Sequence, residues 1–257
     1  AKIAKSINIG IDAIAFIDDQ PFELEEVEFS HPEILCVNAE DLRKLLEMPE
    51  MNPRFITEDS KKRRLMYISH IERNKAEAEF VGSQETFLAT LNMNFNISSA
   101  QEEDLQRAEE LTVRTHQLNA TGYTYSYDEL NQFRQSNTHR LLIAGLEDKY
   151  GTYGKIGLAL VECQESLWTI KLLLMSCRVM SRGVGTVMLN YIAKLAKENS
   201  VRLCAEFVSN SRNRMMYVAY KFAGFRETKK EDDLAILENE LSNIQPFPDY
   251  MSVEIIN

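Results

Sequence analysis

Residues 177–198, CRVMSRGVGTVMLNYIAKLAKE, have the pattern of a strand end, a turn with two glycines and a following helix. Gly183 and Gly185 let the backbone approach a ligand closely, and the N-terminus of a helix offers free N–H groups and a positive dipole end to an anion. Arg178 and Arg182 add positive charge beside the turn. These features predict a pyrophosphate-binding site, although a tight strand–helix turn without a ligand would use the same residues.

The flanking segments predict an α/β fold with a mixed, mainly antiparallel sheet flanked by helices. Three strand-like runs with Gly-containing turns between them predict an antiparallel meander: HRLLIAGLED (139–148), GKIGLALVEC (154–163) and LWTIKLLLMSC (167–177). The pattern predicts further strands at 93–98, 202–208 and 249–256, helices at 102–117, 186–199 and 214–223, and an aromatic loop at 119–130.

The N-terminal segment predicts the end of a larger α/β domain. Two short apolar runs, 13–17 and 34–37, alternate with helical segments, which is typical of a parallel sheet. Two strands do not make a stable sheet domain by themselves, so we expect the sequence to be part of a longer protein. The predicted parts are therefore a domain remnant at 1–50, a helical linker at 51–91 and a second domain at 92–257.

Composition limits the classes of partner. The chain has a net charge of −10 with 26% charged and 44% hydrophobic residues. This charge argues against broad nucleic-acid binding and against an anionic membrane surface, since both favour a basic protein face. We see no apolar run of the length of a membrane span and no signal peptide. The four cysteines form no CxxC pair, which is typical of reduced thiols, and we expect a cytoplasmic protein.

A further segment, NRMMYVAYKFAGF (213–225), follows residues 177–198 after one more predicted strand. Together, residues 93–225 resemble the GNAT acyltransferase superfamily. The resemblance implies that Arg182, Gly183 and Gly185 hold the pyrophosphate of coenzyme A. It also implies that Asn213 lines the thioester channel and that Tyr220 serves as the general acid.

A second resemblance begins with FIDDQPFE (16–23), which is similar to the fourth motif of haloacid-dehalogenase (HAD) phosphatases. Together with INIGIDA (7–13), ELTVRTHQLNATGYTYS (110–126) and LMSCRVMSRGV (174–184), it resembles the FkbH-like proteins of polyketide biosynthesis. These proteins join a HAD domain to a GNAT-like domain. The resemblance implies that the protein takes a glyceryl group from 1,3-bisphosphoglycerate and loads it onto an acyl carrier protein as a thioester.

The sequence departs from both families. Met180 stands where GNAT proteins often have glutamine. The nucleophile, Thr/Ser and lysine motifs of HAD phosphatases would all precede Ala1, so Asp18 and Asp19 resemble only half of a magnesium site. We therefore expect no phosphoryl step from this chain, and Mg²⁺ binding only if the missing half is supplied. Alternatively, the two aspartates are solvated acids at a strand end.

Several residues are candidates for acyl chemistry. Cys177 follows an apolar strand and precedes an arginine and a helix N-terminus, both of which favour a nucleophilic thiolate; the alternative is a small buried thiol. His116 could act as its base, with Gln117 or Asn119 as oxyanion donors, although a histidine near a helix C-terminus is also favourable for the dipole alone. Glu206 would face the core or the channel, depending on strand register.

Three functions remain open. The first is a transferase that loads a glyceryl group from a small acyl donor onto the phosphopantetheine arm of an acyl carrier protein through a cysteine thioester. The second is an N-acetyltransferase that depends on acetyl-coenzyme A. The third is a non-catalytic carrier-docking domain, whose basic patch would include Arg178, Arg182, Arg212 and Arg214.

Overall fold

The computed structural model describes residues 2–7, 9–52 and 54–256. Asn8 of the INIGIDA run and Pro53 of the predicted linker, together with the two terminal residues, lie outside the described residues. The chain forms two compact units, Ala1–Ile71 and Glu72–Asn257, so the division falls within a helix, α4 (Arg63–Glu79). The boundaries of the three parts at 1–50, 51–91 and 92–257 stay a prediction.

The first unit contains a two-stranded parallel sheet, as the alternating pattern predicts. Its elements are α1 (Lys2–Ile7), β1 (Ala15–Asp18), α2 (Pro21–Ser30), β2 (Leu35–Asn38), 3-10 helices at Ile11–Ala13, Ala39–Glu47 and Pro49–Met51, and α3 (Glu58–Lys61). The Asn38 side chain accepts a hydrogen bond from the Glu40 N–H at 2.9 Å and so caps the segment predicted as an α-helix, which is a 3-10 helix. This small sheet does not show a HAD-like domain.

The second unit is built on one mixed sheet of eight strands, in the order β10-β3-β4-β5-β6-β7-β9-β8. Its helices are the end of α4, then α5 (Gln84–Thr90), α6 (Leu105–Arg114), α7 (Tyr127–Gln135), α8 (Val184–Glu198) and α9 (Arg214–Phe222). Its strands are β3 (Met93–Ser99), β4 (His139–Asp148), β5 (Gly151–Cys163), β6 (Leu167–Met175), β7 (Arg202–Val208), β8 (Phe225–Glu231), β9 (Leu234–Asn239) and β10 (Met251–Ile256). Only β10–β3 and β6–β7 are parallel among these pairs, which confirms the predicted mixed, mainly antiparallel sheet.

Helices cover both faces of this sheet. One apolar cluster joins the sheet to α6 and α7 through residues such as Leu111, Leu130 and Leu172. The other joins the opposite face to α5, α8 and α9 through Phe87, Ile192 and other buried side chains. Strands that are buried on both faces read as nearly continuous apolar runs, which explains the sequences of β4, β5 and β6. No described helix has the length and apolar character needed to cross a membrane.

The structure corrects two predicted elements and adds a hairpin that was not predicted. The predicted aromatic loop contains α7, which begins with a capping box in which the Ser126 hydroxyl accepts from the Glu129 N–H. The predicted helix at 102–117 ends at Arg114, so His116 and Gln117 lie in the loop after it. The β8–β9 hairpin was not predicted because β8 is an edge strand whose residues after Phe225 are all exposed and mostly charged, and it carries no apolar alternation.

A buried ion pair fixes the C-terminal end of α4 to the turn between β4 and β5. The Arg73 guanidinium donates to both carboxylate oxygens of Asp148, at 2.7 and 2.9 Å, and to the Gly151 carbonyl at 2.7 Å. It also lies 3.8 Å from the ring centroid of Tyr153, whose hydroxyl donates to Asp148 at 3.0 Å. Burial raises the pKa of Tyr153 to about 12. The pair satisfies its charges internally, which a buried ion pair requires.

Breaking this pair should destabilise the second unit strongly. Arg73→Leu leaves the Asp148 carboxylate buried and unpaired, and we expect a loss of about 3–5 kcal/mol in the free energy of unfolding, measured by urea denaturation. The matched control is Arg226→Leu, which breaks an exposed pair with Glu240 and should change stability little. Equal losses in the two variants would contradict the conclusion that the buried pair contributes more to stability than an exposed pair.

Candidate functional site

The two parallel strands in the middle of the sheet separate towards their C-terminal ends. β6 and β7 pair from Leu167 to Ile170 on one strand and from Arg202 to Ala205 on the other. Beyond these residues the strands are not paired with each other, which leaves a gap between them. Ligands of open α/β sheets bind at the carboxyl ends of parallel strands, so this gap is the first candidate site.

The chain's own backbone spans the gap through Leu118–Ala120, which we call the bridging segment. The Ala120 N–H donates to the Leu173 carbonyl at 2.9 Å, and the Met175 N–H donates to the Leu118 carbonyl at 2.8 Å. On the other side, the Val208 N–H donates to the Ala120 carbonyl at 3.1 Å. The segment therefore takes the place of the hydrogen bonds that β6 and β7 would otherwise make with each other, and it holds the two strands at a fixed separation.

Asn213 locks the bridging segment in place. Its side-chain amide donates to the carbonyls of Asn119, Ala120 and Val208 at 3.1, 3.3 and 2.8 Å. Asn119 accepts hydrogen bonds from the N–H groups of Thr121 and Gly122, and both asparagines are fully buried. Both amides already bind backbone. This geometry is therefore at odds with the predicted role of Asn213 in lining a channel and with that of Asn119 as an oxyanion donor.

The predicted glycine turn lies directly after β6 and has the geometry of an anion site. Gly183 has a φ of +79° and forms the N-cap of the 15-residue helix α8. The N–H groups of Gly183, Val184 and Gly185 have no hydrogen-bond partner among the described residues. Three adjacent free N–H groups at the positive end of a long helix suit a phosphate group.

Arg182 does not extend over this turn as the sequence suggests. Its guanidinium is buried, donates to Glu77 at 3.0 Å and lies 5.9 Å from the ring centroid of Phe87. Its Nε and Nη1 atoms are buried without a partner in the described part of the chain. The side chain thus attaches the turn to α4 and α5, and it cannot belong to an exposed docking patch. The half-buried Arg178 is the nearer candidate for a cation at the surface of the turn.

Cys177 and His116 lie at the same end of the gap. Cys177 is exposed, in a short 3-10 turn after β6 in which the Ser176 hydroxyl accepts from the Arg178 backbone and from its guanidinium, at 3.4 and 3.3 Å. Asn119 pairs antiparallel with Leu174, and the Met175 N–H donates to the Leu118 carbonyl, so His116 and Cys177 each lie two residues beyond this hydrogen bond along the sequence. His116 and Gln117 are both exposed, and no hydrogen bond joins His116 to Cys177 in the described residues.

A cluster of polar side chains lies where β6 and β7 begin to separate. The Lys171 ammonium of β6 binds the Glu206 carboxylate of β7, and both side chains are largely buried. The Tyr220 hydroxyl of α9 is fully buried without a hydrogen-bond partner in the described residues, and burial and then Glu206 raise its pKa. Burial, followed by Glu206, also raises the pKa of Tyr125 to about 12. A carboxylate, an ammonium and two protonated phenols are the groups that acid–base chemistry needs.

Sequence reasoning singled out Tyr220 but left the orientation of Glu206 open and did not consider Lys171, although a signal was present. Lys171 and Glu206 are single charged residues inside the apolar runs LWTIKLLLM and LCAEFV. A charge in such a strand is costly unless it is paired, so the two charges of opposite sign on neighbouring strands indicated a pair.

The predicted magnesium ligands lie in the first unit. Asp18 is half-buried and accepts a hydrogen bond from the Gln20 N–H at 2.9 Å, while Asp19 is exposed. Among the described residues, no group of three or more His, Cys, Asp or Glu side chains could hold a metal ion. Magnesium binding by Asp18 and Asp19 stays a prediction.

Comparisons with known proteins give structural matches only. No protein-family model and no curated protein match the sequence. Among solved structures, a ribosomal-protein-alanine N-acetyltransferase from Escherichia coli is 18% identical, with a TM-score of 0.45 over 58% of this chain and 95% of that one. The PaiA N-acetyltransferase from Thermoplasma acidophilum, in complex with coenzyme A, is 17% identical, with a TM-score of 0.46 over 56% of this chain and 98% of that one. The GNAT domain of PAT from S. lividans is 18% identical, with a TM-score of 0.44 over 55% of this chain and 88% of that one. At this similarity, function has to be argued from the residues of this chain.

The two glycines of the turn should respond differently to alanine. A Cβ at Gly183 meets both a left-handed backbone conformation and the Tyr250 hydroxyl, so Gly183→Ala should lower the free energy of unfolding by about 1–2 kcal/mol or more. A Cβ at Gly185 has Met175 Cγ at 3.8 Å as its nearest neighbour, an ordinary contact, so Gly185→Ala should leave stability unchanged or raise it. Urea denaturation of both variants tests this, and a larger loss for Gly185→Ala would contradict the geometry.

Proposed function

We propose that the unit Glu72–Asn257 is an acyltransferase that uses a pantetheine thioester, carried by coenzyme A or by an acyl carrier protein. The observation that carries this proposal is the fully buried Tyr220 hydroxyl, which has no hydrogen-bond partner in the described chain and whose pKa is raised by burial and then by Glu206. A buried polar group without a partner costs about 1–3 kcal/mol, and such groups often belong to functional sites. The site supplies an acid and a base at the point where β6 and β7 separate.

The turn after β6 supports a phosphate-bearing ligand. The free N–H groups of Gly183, Val184 and Gly185 would hold the pyrophosphate of coenzyme A, or the phosphate of a phosphopantetheine arm, at the N-terminus of α8. Because the turn directly follows the C-terminal end of β6, a ligand held there would direct its thioester towards the gap. The bridging segment already uses the backbone groups of Leu173 and Met175, so the ligand would bind beside the segment.

Each side chain of the cluster has a chemical role in transfer to an amine. The Glu206 carboxylate would accept a proton from the attacking nitrogen, and the Tyr220 phenol would donate a proton to the departing thiolate. Burial raises the pKa of Tyr220, so the phenol carries its proton at neutral pH. Lys171 holds the Glu206 carboxylate across the gap. This cluster is the specific observation that favours an N-acetyltransferase.

The finer proposal is glyceryl transfer to an acyl carrier protein through Cys177, and it depends on the resemblance to FkbH-like proteins. The Cys177 sulfur would attack the donor carbonyl and expel its leaving group, and the carrier thiol would then take the glyceryl group and release Cys177. The exposure of Cys177 at the end of β6 supports this role. The exposed Arg212 and Arg214, with Arg178, would form the docking patch for an acidic carrier.

Cysteine variants separate the two mechanisms. In glyceryl transfer, Cys177→Ser should abolish loading of a carrier protein from a glyceryl thioester donor, because it removes the thiol that carries the acyl group. Cys163→Ser is the matched control and should retain full activity, since the Cys163 thiol is half-buried at the end of β5. Intact-protein mass spectrometry detects the adduct, and one that persists on another cysteine of the Cys177→Ser protein would overturn this assignment.

Tyrosine and glutamate variants test the amine mechanism. Glu206→Gln and Tyr220→Phe should each lower the rate of acetyl transfer from acetyl-coenzyme A by about 10²–10⁴-fold if the two groups act as base and acid. Tyr220→Phe should not lower stability, since it removes a hydroxyl without a partner in the described chain. The matched control is Tyr217→Phe on the same helix, which should retain activity. Full activity in both Glu206→Gln and Tyr220→Phe would reject this mechanism.

A further inference from the structure

A second cavity opens at the other end of the sheet from the α8 turn. It has a volume of about 300 Å³ and lies where β4 and β6 begin and β3 and β5 end. Trp168 lines it near the start of β6, whereas the glycine turn follows Met175 at the end of that strand. At about 3.3 Å per residue, β6 separates the two sites by roughly 20 Å. The cavity is therefore distinct from the proposed acyl-transfer site.

The lining of this cavity is cationic, in contrast to the chain as a whole. Arg134, His139 and Arg140 line it, and no aspartate or glutamate does so among the described residues. The chain carries a net charge of −10, so an excess of basic side chains in one concave site is unexpected. Clefts lined by charge of one sign concentrate ligands of the opposite sign, which indicates an anionic ligand.

Arg140 is held by neighbours that do not neutralise it. Its guanidinium carbon lies 5.0 Å from the ring centroid of the buried Trp168. Burial raises the pKa of the Cys163 thiol, and the adjacent Arg140 opposes that shift. In the described part of the chain, no carboxylate lies within ion-pair distance of Arg140. A guanidinium that is oriented by an aromatic ring and has no carboxylate partner in the described residues is well suited to bind oxyanions.

The other two basic side chains of the cavity are also oriented by local contacts. Arg134 donates through Nε and Nη2 to the Asn131 side chain at 3.1 and 2.9 Å, and it lies 3.7 Å from the exposed Glu102. The Nδ1 atom of His139 hydrogen-bonds to the hydroxyls of Ser136 and Thr138 at 3.0 and 3.1 Å. Its Nε2 atom has no hydrogen-bond partner in the described residues. The contacts at Nδ1 fix the imidazole and leave Nε2 for a ligand.

We propose that this cationic cavity, defined by Arg134, His139, Arg140 and Trp168, binds the phosphate group of a small phosphorylated ligand. A phosphate offers several acceptor oxygens to two guanidinium groups and an imidazole, and guanidinium groups bind it in bidentate geometry. The volume suits a compact molecule, since ligand pockets start at about 300 Å³. Trp168 also lines the cavity and supplies an apolar contact for a non-phosphate part of the ligand.

Trp168 provides a direct readout because it is the single tryptophan of the sequence. We expect inorganic phosphate and glycerol 3-phosphate, added at constant ionic strength, to change its fluorescence in a saturable way, with tighter binding of the ester. Arg134→Gln keeps the contact between Arg140 and Trp168. It should raise the dissociation constants for inorganic phosphate and for glycerol 3-phosphate by about tenfold or more. Arg140→Gln should do the same.

Arg202→Gln is the matched control, since it removes an exposed arginine that is paired with Glu238 at the start of β7. It should leave both dissociation constants unchanged. A response that does not saturate, or equal dissociation constants in the native protein and the Arg134→Gln and Arg140→Gln variants, would overturn the proposal. Because the signal comes from Trp168 and requires no turnover, the result is independent of the proposed acyl transfer.

Discussion

The hydrogen bonds of the bridging segment are the constraint on which the candidate site depends. Two parallel strands that separate would expose unpaired backbone groups inside the protein, and each such group is costly when buried. Leu118–Ala120 satisfies groups on both strands, and the Asn213 amide satisfies the carbonyls that remain. The separation of β6 and β7 is thereby built into the fold, and Glu206 and Lys171 meet across it.

The glycine turn depends on a different set of contacts. Gly183 takes a left-handed conformation that lets the chain leave β6 and enter α8, and the Tyr250 hydroxyl occupies the space that a side chain would fill. Arg182 attaches the same turn to Glu77 of α4. Free N–H groups are thus presented by a backbone that is fixed from two sides, and a rigid set of donors binds an anion with little loss of conformational entropy.

Much of the second unit could be predicted because its signals are local. Glycine spacing, apolar runs and helix periodicity are sufficient to predict β6, α8 and β7. The bridging segment gives no such signal, since its role depends on hydrogen bonds to strands that are distant in sequence. The helix α7 was not predicted because its capping residues lie within a tyrosine-rich stretch that is typical of a loop. The orientations of Glu206, Arg182 and Asn213 required strand register and tertiary packing, which no single segment contains.

The parallel pairing of β10 with β3 also affects how the protein is made. Met251 lies opposite Met93, so the two strands are separated by more than half of the chain. Contacts of such long range close large loops and form late, and a nascent chain emerges from the ribosome N-terminal end first. Tyr250, which packs against Gly183, immediately precedes β10. During synthesis, the glycine turn would therefore acquire its final surroundings only after nearly all of this unit has been translated.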